Sequence, residues 1–408
     1  MPNHLHTAPA ALTADDLGHL RRAVELARRG RYGAPPNPMV GTVLVRGGRV
    51  VGEGWHARAG EAHAEAAALA AARADGQAVA GSTAYVSLEP CSHQGRTPPC
   101  CDALVAAGVA RVVALHADPD PRVSGGGMAR LRDAGVDASL ATAAGAWPPE
   151  LAGDAAALVA RALGLNLHFL VPTVLGRPAV TLKWAMSLDG RIATAGGDSQ
   201  WISSPEGRRW SLDLRERHDA ILVGSGTALA DDPRLDRRLG LAPGPITRVI
   251  LDRRLRLPVT ARTLALEGPV LVYTAAGAEA GRGASLEEAG ATLIRLPREV
   301  TDNASRMPAA VLADLAERGI RSLLVEGGGG VAASWVESGL YDRVHASVAP
   351  LLIGGKAAPG PLGGPGAEPL AAAPRLTDLH VRRRGPDVIL TGLREQCLPE
   401  LSSSVGAS

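Results

Sequence analysis

The hydrophobic and polar positions divide the chain into two successive α/β series. In the stretch DLGHLRRAVELARRG apolar residues recur at helical spacing, with acids early, arginines late and Gly30 as a stop. GTVLVRGGRVVGEGW reads as two strands joined at Gly47 and Gly48, and EAHAEAAALAAARADG as an alanine-rich helix closing at Gly76. STAYVSLEPCS predicts a strand ending at a Pro-Cys corner, after which CCDALVAAGVARVVALHADPDP and MARLRDAGVDASL each predict a helix and a strand. This first α/β layer structure is expected to span 13–149, with a helical connector over 150–175. A second series begins at PAVTLKWAMSLDG and continues through AILVGSG, TRVILD, PVLVYT, ATLIRL and SLLVEGGGG. It predicts another α/β domain over 176–394, interrupted by the loop AAPGPLGGPGAEP and followed by a disordered tail over 395–408.

A length of 408 residues agrees with two domains of ordinary size, and 46% hydrophobic against 21% charged residues places the chain among globular proteins. Lys+Arg number 43 and Asp+Glu 41, and aromatics are only 3%, so neither a basic field nor a base-stacking surface points to nucleic acid. Small-molecule substrates are expected instead. Four cysteines are too few and too unevenly placed for a disulfide framework. No 18-residue apolar run and no leader-like N-terminus is present, so no membrane is expected and the location is read as cytoplasmic.

The strongest chemical signal is His63-Ala64-Glu65, then Pro90-Cys91, then Cys100. One imidazole and two thiolates suit zinc, and three protein ligands leave a fourth position for water at neutral pH. Glu65, two residues past His63 at a predicted helix start, is placed to move a proton between water and an amine-bearing ring. This is the logic of the zinc deaminases, whose His-x-Glu and Pro-Cys pattern is a known template. A chance HAE in an alanine-rich helix is the plain alternative, but the three features in order and at this distance weigh against it. Cys101 points away from its neighbour on a helix and is expected to pack, and Cys397 to be incidental.

Nucleic-acid and nucleoside deaminases resemble Pro-Cys-x-x-Cys, whereas eight residues separate the cysteines of PCSHQGRTPPC. With PNPMVG and GWHARAGEAHAE, this stretch closely resembles the bifunctional riboflavin-biosynthesis deaminase–reductase, the RibD family. The likeness runs from about Leu17 to Leu393. It implies a cytidine-deaminase-like three-layer α/β/α domain followed by a dihydrofolate-reductase-like α/β domain, with zinc and NADPH as cofactors and a homo-oligomer as the assembly. The implied first reaction deaminates 2,5-diamino-6-ribosylamino-4(3H)-pyrimidinone 5′-phosphate. The second reduces the ribosyl side chain of that product to ribityl. The resemblance makes His63, Cys91 and Cys100 the zinc ligands and Glu65 the proton shuttle. It places Asn37, His56, Arg96, Asp118 and Asp120 on the first substrate, with Asp120 departing from a frequent Asn.

In the second half, VEGGGGVAASW follows a predicted strand and opens a helix, a geometry that lets backbone N–H groups approach a pyrophosphate. Alone it is a weak signal, since it lacks the GxGxxG register. KWAMSLDGRIA, SQWIS, GSGTALADDPRL and VEGGGG resemble the reductase domain of the same family. NADPH then falls against Ala185, Trp201, Thr227, Asp231, Arg253, Gly328, Gly329, Gly330, Val331, Ala332, Ala333 and Ser334. The reductase substrate falls against Lys183, Ser199, Arg215, Leu235, Arg238 and Glu326, with Arg215 and Arg238 as phosphate grips. Asp236 replaces a usual threonine, and Arg253 replaces a small residue in a position where a guanidinium favours a 2′-phosphate. Two other readings make different demands. A nucleic-acid deaminase requires the short cysteine spacing, and a chain with one inert half requires a damaged site.

Overall fold

A computed structural model describes residues 11–94, 98–120 and 124–405, without the side chains of 402–405. The chain forms two compact units, one running to Val174 and taking in the chain end from Leu398, the other Leu175–Cys397.

The first unit comprises α1 (Ala14–Ala27), β1 (Gly41–Arg46), β2 (Arg49–Trp55), α2 (Ala64–Ala74), β3 (Thr83–Val86), α3 (Cys100–Ala106), β4 (Arg111–Ala114), α4 (Gly126–Asp133), β5 (Asp137–Leu140), α5 (Pro149–Leu165) and α6 (Leu167–Leu175). Its sheet has the order β2-β1-β3-β4-β5, with antiparallel pairing of β1 to both β2 and β3 and parallel pairing thereafter. Strand alternation sorts the side chains to two faces. Val43, Tyr85 and Val113 meet Leu20 and Val24 of α1 and Leu158 of α5. Leu44, Ala84, Val86 and Val112 meet α2, α3 and α4 through Ala68, Leu104 and Met128. Three layers result. A capping box starts α1, where Thr13 and Asp16 exchange side-chain bonds. The seating of α2 depends on Gly54, where a Cβ would lie 2.3 Å from the Ala68 nitrogen. That close approach fixes the helix that His63 precedes and whose first turn carries Glu65.

The second unit comprises β6 (Ala179–Ser187), α7 (Pro205–Glu216), β7 (Ala220–Gly224), α8 (Ser225–Asp231), β8 (Thr247–Leu251), β9 (Val270–Ala275), α9 (Ala280–Glu288), β10 (Ala291–Leu296), α10 (Arg298–Thr301), α11 (Met307–Glu317), β11 (Ser322–Val325), α12 (Gly329–Glu337), β12 (Arg343–Ala349), β13 (Leu376–Arg384) and β14 (Asp387–Arg394). Its nine strands run β10-β9-β8-β7-β11-β6-β12-β14-β13, parallel except where β14 pairs antiparallel with β12 and β13. Core residues of α11 and α12 cover one face and those of α7 and α9 the other. The mixed sheet places the carboxyl ends of β8, β7, β11 and β6 side by side, where open α/β sheets bind ligands.

Two expectations change. The tail expected to be disordered forms a helix, α13 (Cys397–Val405). Cys397 and Leu401, four residues apart and so on one helical face, are 1% and 0% exposed. An apolar stripe that short is lost to the eye beside SSSVGAS. The expected connector over 150–175 consists of α5 and α6 and belongs almost entirely to the first unit, whose core α5 completes. Among the described residues no single helix is long and apolar enough to cross a membrane.

Candidate active sites

The first site grows from three chain segments. His63 is the residue preceding α2, Cys91 lies just past β3, and Cys100 opens α3. Their ligand atoms all lie within 4.8 Å of one another. His63 Nδ1 is 3.3 Å from Cys100 Sγ and 3.6 Å from Cys91 Sγ. In a tetrahedral site with Zn–N about 2.0–2.1 Å and Zn–S about 2.3 Å, the N···S edges come to about 3.6 Å. The donor set and its spacing therefore fit zinc. The Cys100 amide also donates to Cys91 Sγ over 3.4 Å, favouring a thiolate there. Hydrogen bonding from Cys100, with help from His63, pushes Cys91 down to about 4, while the same contact and burial push Cys100 up. Side by side, the sulfurs hold one negative charge readily and two only with a cation between them. Cys101 faces the core as expected, its Sγ donating to the Cys91 carbonyl over 2.8 Å, and burial pushes its thiol up to about 12.

Glu65 is 3% exposed and, with His63 and Cys91, lines a cavity of 570 Å³. Burial pushes its carboxyl up to about 7, into the range where it can both accept and release a proton. Asn37, His56, Asp118 and Asp120 line the same cavity. His56 Nδ1 donates to the Ala62 carbonyl over 3.0 Å, leaving Nε2 to accept from Asn37 Nδ2 over 3.1 Å. Burial lowers the pKa of His56, so the ring is a neutral spacer that aims the Asn37 amide. Asp118 Oδ1 accepts the Asp120 amide over 2.9 Å, and burial pushes Asp118 up to about 7. Arg96 lies outside the described residues.

Two features of this site escape a reading of the sequence. Glu89 is buried, and its carboxylate accepts four backbone N–H groups, from Asp118 at 3.2 Å, Gly125 at 3.0 Å, Gly127 at 3.0 Å and Met128 at 3.1 Å. It ties the Asp118 loop to the start of α4. Its one sequence signal is an acid directly before Pro90-Cys91. The other feature is α6, whose Phe169 lines the cavity.

The second site spreads over strand ends. Glu326, directly after β11, forms a bidentate pair with Arg215 of α7, with contacts of 3.3 Å and 2.9 Å. The two side chains are 10% and 12% exposed. Burial would raise Glu326, but Arg215 and Lys183 together hold it at about 2. Lys183 and Ala185 stand two apart on β6 and so share one face, and burial lowers the Lys183 pKa. Thr227 of α8 approaches the glycine run closely, since a Cβ on Gly328 would lie 3.6 Å from its Oγ1. Gly328 precedes α12, and Gly329, Gly330 and Val331 form its first turn. Ala332, Ala333 and Ser334 are buried in the helix body, the Ser334 hydroxyl donating to Val331 O over 2.8 Å.

The remaining positions divide. Trp201 is 67% exposed beneath the Arg208 guanidinium, and the half-buried Ser199 lies on the same loop. Gln200 of that loop donates to the exposed Asp231 over 3.4 Å. Arg238 is exposed and pairs with Asp236, which also receives Arg234. The replaced threonine position thus holds a charge that braces two arginines. Arg253, past the end of β8, pairs with Asp302 beside a separate 410 Å³ cavity also lined by Arg254 and Arg298. Arg215, expected as a phosphate grip, pairs with Glu326. Leu235 has a left-handed backbone, φ 53°, and its side chain is buried in the core.

Residues 13–116 match the cytidine and deoxycytidylate deaminase zinc-binding region, and 178–390 match the RibD C-terminal domain. The chain is 41% identical over 386 residues to the riboflavin biosynthesis protein RibD of Escherichia coli, covering 91% of this chain and 97% of that one. It is 40% identical to the Bacillus amyloliquefaciens protein of the same name, covering 92% and 95%. Among solved structures, Acinetobacter baumannii RibD superposes with TM-score 0.74 at 34% identity, over 94% of this chain and 99% of that one. The Thermotoga maritima diaminohydroxyphosphoribosylaminopyrimidine deaminase/5-amino-6-(5-phosphoribosylamino)uracil reductase does so with TM-score 0.74 at 30% identity, over 93% and 99%. A zinc-ligand triad beside a buried glutamate in one unit, and a glycine-turned helix at the strand ends of the other, thus belong to a chain that is a member of the RibD family of bifunctional deaminase–reductases.

Proposed function

We propose that the first unit deaminates 2,5-diamino-6-ribosylamino-4(3H)-pyrimidinone 5′-phosphate and that the second reduces the deaminated product, 5-amino-6-(5-phosphoribosylamino)uracil, to its ribitylamino form. The observation that carries the reading is the convergence of His63 Nδ1 and the two sulfurs at the edge of the cavity that Glu65 lines. Zinc held there supplies Lewis acidity, making water a nucleophile near neutral pH. Glu65 takes the proton of the attacking water, delivers it to the ring nitrogen and then helps the amine leave as ammonia. Asn37, aimed by His56, meets the polar edge of the ring, and Asp118, held by Glu89, meets the amino groups. Arg96 is proposed to hold the phosphate.

In the second unit NADPH supplies the hydride to C1′ of the opened ribosylamine, and the protein supplies position and charge. The N–H groups at Gly328–Val331 face the pyrophosphate, with Thr227 beside them, and Ala185, Trp201 and Asp231 border the nicotinamide half. Lys183 is poised on the ribose chain by Glu326, which Arg215 positions. Arg238, exposed and braced by Asp236, and Arg215, paired with Glu326, are proposed to meet the substrate phosphate. Arg253 is proposed to meet the 2′-phosphate. A cytoplasmic homo-oligomer completes the reading. The four cysteines are placed without disulfides, two of them toward the metal position, and edge strand β13 exposes Leu379 and Val381. Metal analysis with mass spectrometry of the pyrimidine substrate, with and without NADPH, tests both steps. One zinc per chain, exchange of an amino group for oxygen, then gain of two hydrogens only with NADPH are expected.

A further inference from the structure

The deaminase cavity has one wall that neither matched family region covers, since one region stops at 116 and the other starts at 178. It is built where α5 and α6 meet at Asn166 with a bend of 83°. Asn166 is 3% exposed, and its side chain accepts the Met39 amide over 2.8 Å and donates to the Met39 carbonyl over 3.0 Å. A primary amide used this way substitutes for a strand neighbour on a segment that has none. His168 Nε2 donates to the carbonyl of Asn37 over 3.0 Å. The loop carrying Asn37 is therefore held at two points by residues lying 127 and 131 positions later. One residue further, Phe169 donates its amide to Asn166 O over 2.9 Å, which closes the first turn of α6. Phe169 is the single phenylalanine of the chain, half-buried, and lines the same cavity as Asn37, His56, His63 and Glu65. The rest of the wall near Asn37 is aliphatic, from Pro36, Pro38 and Val40.

From this placement we infer that Phe169 is a substrate-recognition residue of the deaminase, the aromatic wall against which the flat pyrimidine face packs, and that Asn166 and His168 position it relative to Asn37. The inference rests on the deaminase reading of the first site. The physical logic is division of labour. Asn37 and Asp118 read the edge of a heterocycle, and only an apolar or aromatic surface reads its face. Among the described cavity-lining residues Phe169 is the only aromatic carbocycle. Stacking of a base on an aromatic side chain is lost on truncation to alanine with an effect of about tenfold or more.

The test is steady-state deamination by the full chain carrying Phe169→Ala or Phe169→Tyr, with zinc content and NADPH-dependent reduction of supplied deaminated product measured on the same preparations. Phe169→Ala is expected to raise the deamination KM about tenfold while kcat changes much less, with zinc at one per chain and reduction unaltered. Phe169→Tyr, which keeps the ring, is expected to restore KM. A wild-type chain that binds no zinc and deaminates nothing would remove the underlying reading. A wild-type chain that deaminates, with a Phe169→Ala KM within about twofold of it, would overturn this inference alone. So would a Phe169→Tyr variant as impaired as Phe169→Ala, or reduction falling in parallel with deamination.

Discussion

Glu65 is buried in one unit and Glu326 nearly so in the other, and they are driven in opposite directions. Glu65 is pushed up to about 7 by burial, with the sulfur of Cys91 adding to the rise. A cation held by His63, Cys91 and Cys100 would pull the other way. Glu326 faces Arg215 and Lys183 and is held at about 2. Desolvation alone does not decide a carboxyl's role; its neighbours do. The first environment suits a group that carries a proton during reaction. The second suits a group that never does and whose constant charge holds two cations in place. The units differ in construction in the same way. The first site is a tight convergence of rare residue types, and the second is a set of positions distributed over four adjacent strand ends.

The sharpest way to break this contrast is to remove a metal ligand. Cys100→Ser should bring zinc far below one per chain and abolish measurable deamination, while reduction of supplied product continues. Loss of both activities, read on the same preparation by metal analysis and NADPH oxidation, would show that the second unit depends on the first site. Next in size is Glu65→Gln, which keeps shape but cannot carry the proton. Zinc should stay bound while deamination falls by a factor on the order of 10²–10⁴. Retained deamination in that variant would transfer the proton role to another group.

These first two expectations were legible in the chain because cysteine is scarce and the spacing of Cys91 and Cys100 is distinctive. Composition and periodicity likewise disclosed both α/β series, the Gly47-Gly48 hairpin and the helix that begins just after His63. Glu89 was not legible, because its role is to accept four backbone amides brought near only by the fold. Nor was Asn166, whose partner Met39 lies 127 residues earlier. A helical pattern over 150–175 says that helices form, not that one of them finishes a binding wall. In the second unit the resemblance named Leu235 and Arg215, whose side chains point to the core and to Glu326. Strand β6 discloses Lys183 by rarity, whereas the pairing of Glu326 with Arg215 joins residues 111 apart.

Changing the second carboxyl sharpens the comparison. Glu326→Gln leaves Lys183 and Arg215, both largely withdrawn from water, without an opposite charge, with a cost of about 3 kcal/mol in stability of the second unit. Reduction should fall steeply and deamination should not, as followed by thermal unfolding and the two assays. The pH dependence follows with its sign. The pKa of Glu326 lies below its ordinary 4.5, at about 2. Its stabilising contribution is therefore complete above pH 4.5 and is lost progressively as pH falls toward 2. Acid unfolding of the wild-type chain should be steeper in that window than that of Glu326→Gln, and equal slopes would remove the ion pair from the account. The smallest effect is expected at exposed Arg253. Arg253→Ser should weaken NADPH binding by about tenfold or less and leave NADH binding unchanged. Equal weakening of both would separate Arg253 from the 2′-phosphate.

The most direct measurement of two independent sites on one chain is complementation between Glu65→Gln and Glu326→Gln, followed by mass spectrometry of the diaminopyrimidine substrate in the presence of NADPH. Separately, the first variant should leave the substrate unchanged and the second should stop at the deaminated intermediate. Mixed, they should yield the ribityl product. A mixture that still accumulates the intermediate, although the Glu65→Gln chain reduces that intermediate when it is supplied, would contradict the account.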